Sequence, residues 1–243
     1  MASPWLLEIA KPQARRRLYL FPYLGGNPAA FVGWSAALGP DIALSVINLP
    51  GRGLRLKEPP LTEMRPAAMQ IAAAIASDAG AAEFAFFGHS MGAVLAFEVL
   101  RICTMMQLRR PGLMVASGCR WPGALDRDDL HLLDDAQFRD RLAGLGGTPP
   151  EVLGNAEMMR LLTPMLRADF AMLNGYSYRA MPRLPVPIHA FAAPDDPEVP
   201  AETVPRWLEE STEPGAVHWF TGGHFFLHDA DMAVPARLRE LWG

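Results

Sequence analysis

The sequence predicts an α/β fold in which a mostly parallel central sheet is covered by helices on both faces. Three observations support this. Short apolar runs alternate with longer helical stretches through most of the 243 residues. Those runs lack the in–out alternation of half-exposed strands, so both of their faces are buried. One of them, Phe84–Phe87, passes through Gly88-His89-Ser90-Met91-Gly92 into the apolar stretch Ala93–Leu100, which reads as a helix on the sheet.

The elements follow in order. Arg17–Phe21 is a buried strand that runs into the Gly-rich turn Pro22–Asn27. Phe31–Leu38 reads as a short helix closed by Gly39-Pro40, and Ala43–Asn48 as a second buried strand. Leu49–Pro60 is a loop by its Pro and Gly content. Arg52 and Arg55 within it could meet phosphate or carboxylates; bonds that fix the loop itself are the simpler role for Arg52. Ala67–Ala79 is an alanine-rich helix with Gly80 placed to cap it. After the Phe84–Phe87 strand and a helix to about Gln107 comes the strand Gly112–Gly118.

From about Arg120 to Tyr178 the pattern changes. Acidic clusters appear, strand signals vanish, and helical periodicity returns in Asp135–Leu142 and Asn155–Met172. A helical insertion of this size between two sheet strands reads as a lid, so the expectation is one domain over 1–243 with a lid at about 120–178. The methionines Met158, Met159, Met165 and Met172 could line an acyl pocket or simply pack the insertion onto the core. Val186–Ala193 resumes the sheet, Pro205–Ser211 is a short helix, Ala216–Phe220 a last strand, and Asp229–Trp242 a closing helix.

Bulk properties exclude several function classes. Hydrophobic residues make up 50% and charged residues 20%, as in ordinary globular proteins, and the net charge of -4 leaves no basic footprint for nucleic acid. No window is long and apolar enough to span a membrane, and Met1–Lys11 lacks a secretory pattern. Cys103 and Cys119 have no metal-ligand spacing and read as buried thiols, which suits a reducing cytoplasm.

The Gly88–Gly92 turn carries the chemistry. With 21 glycines and eight serines, chance supplies such a pentapeptide only about 0.06 times in a chain of this make-up. Strand, Gly-x-Ser-x-Gly and helix together make a nucleophile elbow, which holds a serine hydroxyl proud of the sheet. Small residues two before and two after the serine let the turn close. The N–H of Met91 then faces a substrate oxyanion, and a second donor is expected in the turn after the first strand, from Leu24 or else Tyr23. Serine is a poor nucleophile at neutral pH and needs an imidazole to take its proton, and the imidazole needs a carboxylate to fix its tautomer. Of six histidines, His224 is best placed, after a strand and a Gly-Gly turn, with His228 second. His89 must point away from the serine and make a structural hydrogen bond. Asp196 fits the acid position better than Asp195. Ser90, Asp196 and His224 all fall at strand ends, in the chain order of the α/β-hydrolase fold.

Motifs across almost the whole chain then sharpen the reading. They include Phe21-Pro22-Tyr23 with Gly25-Gly26, Leu49-Pro50-Gly51-Arg52-Gly53, Glu58-Pro59-Pro60 and the elbow itself. They continue with Leu145-Gly146-Gly147-Thr148-Pro149, Leu166-Arg167-Ala168-Asp169-Phe170, Asp195-Asp196-Pro197 and Gly222-Gly223-His224-Phe225-Phe226. With these the chain resembles the type II, stand-alone editing thioesterases of polyketide and nonribosomal peptide assembly lines. The resemblance implies hydrolysis of acyl groups from the phosphopantetheine arm of an acyl or peptidyl carrier protein, through an acyl-serine intermediate. It implies Ser90, Asp196 and His224 as the triad, Leu24 and Met91 as oxyanion donors, and no metal or organic cofactor. Three positions depart from the family pattern: Leu24 is bulky, Ala192-Ala193 replaces a glycine-containing pair, and Cys119-Arg120-Trp121-Pro122 stands where small residues are usual.

Alternative readings are a chain-releasing thioesterase or cyclase, a small-molecule carboxylesterase of the same fold, and a non-catalytic binder. A monomer is expected. Carrier proteins are usually acidic, so a basic patch is expected from Arg15–Arg17, Arg109-Arg110 or the arginines of the lid.

Overall fold

The computed structural model describes residues 3–10, 14–78, 82–229 and 231–242. The chain opens with β1 (Leu6–Ala10) and β2 (Arg16–Phe21). A 3-10 turn at Pro28–Phe31, capped by the Asn27 side chain, leads to α1 (Trp34–Leu38), so the single helix expected over 31–38 is two pieces. Then follow β3 (Ile42–Ile47), α2 (Met64–Asp78), β4 (Glu83–His89), α3 (Met91–Met105) and β5 (Leu113–Ser117). The cap expected at Gly80 lies outside the described residues.

Between β5 and β6 the chain is helical in pieces. It forms α4 (Asp135–Leu145), α5 (Pro150–Leu153) and the long α6 (Ala156–Asn174), with Pro164 inside α6. Asp134 and Asn155 cap α4 and α6 by accepting N–H bonds of the first turn, and Gly146 ends α4 in the left-handed region. The sheet resumes with β6 (Ile188–Ala192), a ten-residue 3-10 segment at Ala201–Glu210, and the three-residue β7 (Val217–Trp219). A 3-10 turn at Phe226–His228 precedes the closing helix α7 (Ala233–Trp242), which begins later than expected, with Met232 in the left-handed region at φ 55 and the Asp231 side chain accepting the Ala233 N–H.

The strand order is β1-β3-β2-β4-β5-β6-β7. Every described pair is parallel except β1 with β3, where β1 runs antiparallel along the edge and a bulge falls between Glu8 and Ala10. The order reverses between β2 and β4, which is where an open parallel sheet leaves a crevice beyond its carboxyl ends.

Side chains alternate across the sheet into two cores. Tyr19, Phe21, Phe84 and Phe86 face α2 and α3. Leu18, Leu20, Ala85 and Phe87 face α1 and α7. A third cluster, with Phe138, Leu142, Met165 and Leu166, lies among the helices between β5 and β6. Both burial faces are therefore apolar, as expected for a covered parallel sheet.

Candidate active site

Register brings the loops together. Phe21 of β2 pairs with Gly88 of β4, His89 with Ser117 of β5, Ser117 with Phe191 of β6, and Ala192 with Trp219 of β7. The turns that follow these five strands therefore open on one end of the sheet.

Ser90 sits between β4 and α3 at φ 54 and ψ -123, a conformation that a residue with a Cβ adopts only under tertiary constraint. The turn around it has no spare room. A Cβ on Gly88 would lie 2.3 Å from the Gly92 carbonyl oxygen, and one on Gly92 would lie 2.1 Å from that of Phe21. Glycine at both positions lets β4, α3 and the end of β2 meet closely enough for Ser90 to be presented.

His224 Nδ1–H donates to Asp196 Oδ2 at 2.8 Å. Asp196 Oδ1 accepts the Glu198 N–H at 2.8 Å, so both carboxylate oxygens are engaged, and the Asp196 side chain is fully shielded from solvent. Asp195 is exposed. With Nδ1 committed to the carboxylate, Nε2 is the nitrogen left for chemistry. Among the described residues no hydrogen bond joins His224 to Ser90 across the open site.

His228 is placed differently. Its Nε2 is hydrogen-bonded to the Tyr23 hydroxyl at 3.0 Å. Burial holds its pKa below the usual imidazole value, so the neutral ring can accept that bond. His89 is wholly buried, with Nδ1 hydrogen-bonded to Ser117 Oγ at 3.0 Å and its ring 5.2 Å from that of His224. Burial, with His224 nearby, pushes it well below the usual value, and it stays neutral beside Ser90.

Ser90 and His224 line one cavity of about 880 Å³. Its floor comes from Tyr23–Asn27, Met91, Gly118–Arg120 and Pro197–Val199, and its roof from apolar residues of α4 and α6 such as Leu142, Leu162 and Leu166. Met158 and Met165 reach it, whereas Met159 and Met172 pack into the apolar cores. Leu24 and Met91 both line the cavity, and neither N–H has a hydrogen-bond acceptor among the described residues. Met91 is also the first residue of α3, where the helix dipole favours negative charge.

Two more residues stand behind this floor: Arg52, for which the sequence left a carboxylate partner open, and Asp169. Arg52 is buried and donates to the Gly26 carbonyl and to Asp169, so its bonds reach beyond its own loop. Asp169 had appeared only within a motif. Its signal is a lone carboxylate on the buried face of α6, among Met165, Leu166, Ala168 and Met172.

Two of the expected basic patches lie at the end of the sheet away from the cavity. Arg16 and Arg17 open β2, about 17 Å from the end where Ser90 sits at roughly 3.3 Å per residue, and they are bonded to Glu83, Glu8 and Asp78. Arg109-Arg110 precede β5 at that same far end. Of the arginines beyond β5, Arg120 and Arg141 line the cavity, paired with Asp126 and Asp128. Cys103 and Cys119 are buried and unpaired, and burial pushes their thiols up to about 11 and about 12.

A family model described as a thioesterase domain matches residues 16–240. The chain is 37% identical over 221 residues to the gramicidin S biosynthesis protein GrsT of Aneurinibacillus migulanus, covering 89% of this chain and 85% of that one. It is 34% identical over 218 residues to the thioesterase PikA5 of Streptomyces venezuelae, covering 90% and 78%. Among solved structures it resembles the type II thioesterase BorB from the borrelidin biosynthetic cluster, with a TM-score of 0.89, 30% identity, and coverage of 99% and 98%.

Proposed function

Since the chain belongs to the thioesterase family, we propose that it clears acyl groups from the phosphopantetheine arms of carrier proteins in a polyketide or nonribosomal peptide assembly line. The observation that carries this reading is the His224–Asp196 hydrogen bond on the rim of the cavity that also holds Ser90 at its elbow.

In this mechanism His224 Nε2 takes the Ser90 proton as Oγ attacks the thioester carbonyl carbon. The tetrahedral oxyanion is received by the N–H groups of Leu24 and Met91. Collapse breaks the C–S bond, and the imidazolium returns its proton to the departing pantetheine thiol. Water, deprotonated by the same nitrogen, then attacks the acyl-serine; the acyl–Oγ bond breaks, the imidazolium returns its proton to Ser90 Oγ, and the carboxylic acid leaves. Asp196 holds the tautomer and stabilises the imidazolium throughout.

The segment at about 120–178 serves as the lid of one domain spanning 1–243, and its apolar residues hold the acyl chain. The partner is an acyl or peptidyl carrier protein, met by the chain as a monomer. Among the described residues no helix is long and apolar enough to cross a membrane.

The test compares hydrolysis of a panel of acyl groups on a carrier protein, on a small thiol and as oxygen esters, with Ser90→Ala as control. Faster turnover on the carrier, abolished in the variant, is expected. Equal or better turnover of free oxygen esters would favour a general esterase instead.

A further inference from the structure

The turn that carries the Leu24 N–H borders an open cavity and is closed by one internal hydrogen bond, from the Gly26 N–H to the Tyr23 carbonyl at 2.8 Å, with Gly25 at φ +70. It is also pinned from outside. Gly25 N–H donates to Asp169 Oδ2 at 2.9 Å, and the Gly26 carbonyl accepts from Arg52 Nη1 at 3.3 Å. These two anchors are joined to each other, because Arg52 Nη2 donates to Asp169 Oδ1 at 2.5 Å. The side chains are 5% and 1% exposed, so the pair is shielded from competing water and from salt. The turn is also pressed against α6 itself: a Cβ on Gly25, at φ +70, would lie 2.6 Å from Leu166 Cδ2, one helical turn before Asp169.

The consequence is directional. Asp169 takes the N–H of Gly25, and the next N–H back along the chain, that of the cavity-lining Leu24, has no acceptor among the described residues. The Leu24 N–H shares its peptide plane with the Tyr23 carbonyl, which accepts the Gly26 N–H, so bonds that hold Gly25 and Gly26 in place also hold that plane. An oxyanion donor works only within about 2.7–3.1 Å of the developing charge, so a turn free to rotate would lose most of its effect.

We propose that Arg52 and Asp169 are a positioning pair that aims the Leu24 N–H into the cavity, and that acyl transfer therefore depends on how α6 is seated. This rests on the Ser90 mechanism above. Neither residue touches the reacting atoms. Asp169 belongs to α6, which lines the cavity, and Arg52 to the loop after β3, so the pair makes the turn a joint between the sheet and the helices above it.

The experiment uses Asp169→Asn and the double variant Arg52→Met/Asp169→Leu. The first is isosteric and keeps one oxygen. The second exchanges the buried pair for apolar side chains, which usually preserves folding. Two probes separate positioning from general damage. An alkyl boronic acid forms a tetrahedral adduct on Ser90 and places an oxygen at the oxyanion position. A non-hydrolysable acyl thioether reports ground-state binding alone. We expect kcat to fall about 10- to 100-fold in both variants with KM within about twofold, since a misaimed donor loses part of the roughly 100- to 1,000-fold that one oxyanion donor is worth. Boronic acid affinity should fall by the same factor while thioether affinity stays unchanged. Unchanged kcat and boronic acid affinity in folded Asp169→Asn would overturn the proposal, and so would equal losses for both probes. Turnover that survives in Ser90→Ala would instead overturn the mechanism beneath it.

Discussion

Replacing Asp196 by asparagine tests the site at its most constrained point. Asp196 Oδ1 accepts the Glu198 N–H, and that donor still needs an oxygen after the exchange. The asparagine oxygen therefore stays toward Glu198 and its NH2 takes the place of Oδ2, 2.8 Å from His224 Nδ1. An NH2 group can only donate there, so Nδ1 must become the acceptor and the proton moves to Nε2. The nitrogen that takes the Ser90 proton in the proposed mechanism is then already protonated and cannot act as a base. In serine-protease triads the same exchange costs about 10⁴ in kcat, which corresponds to about 5 kcal/mol. A loss of that order is expected here, because the side chain is shielded from solvent that could offer another arrangement. The assay is release of thiol from an acyl-thioester, followed with a thiol-reactive dye. Asp195→Asn serves as comparison and should stay within about twofold, since Asp195 is exposed. A fall of less than tenfold in Asp196→Asn, or a larger fall in Asp195→Asn, would refute the reasoning.

Three further outcomes are expected. Gly92→Ala places a Cβ 2.1 Å from the Phe21 carbonyl, so urea denaturation should show a loss of about 3 kcal/mol or more and turnover should vanish with it. His89 is held well below its usual value in the folded chain, first by burial, so protons bind the unfolded state preferentially. Its contribution is complete above the unfolded value near 6.5 and is lost as pH falls, so urea midpoints should decline between about pH 7.5 and 5.5, less steeply in His89→Gln. Arg167 donates to the His131 carbonyl and to Asp135 and lies over the Phe138 ring at 4.4 Å, so Arg167→Met should speed amide exchange over 129–145 while leaving β2, β4 and β5 unchanged.

The sequence disclosed what is local. The elbow is five consecutive residues whose spacing answers a steric demand, and the covered strands are legible because both faces are apolar. β1 was not legible: Leu6-Leu7 is interrupted by Glu8, and only pairing with β3 makes an extended conformation worthwhile. The helix expected over 31–38 broke because Pro28 and Asn27 start a turn of their own before it. The arginine clusters looked like a docking patch as a string of letters, but parallel strands have two ends, and these residues belong to the far one. The Arg52–Asp169 contact was hidden for another reason. Its partners are 117 positions apart, and nothing in either local pattern announces the other.

The outermost strands have a bearing on how such a molecule behaves among its own copies. A sheet margin is a row of unused backbone donors and acceptors that another chain could extend. Here one margin is five residues long and carries a bulge, and the other is three residues long. Neither offers a straight template long enough to recruit a neighbour's strand. A hydrolase with margins this short can be abundant without polymerising through them, and its traffic is left to the opening above Ser90.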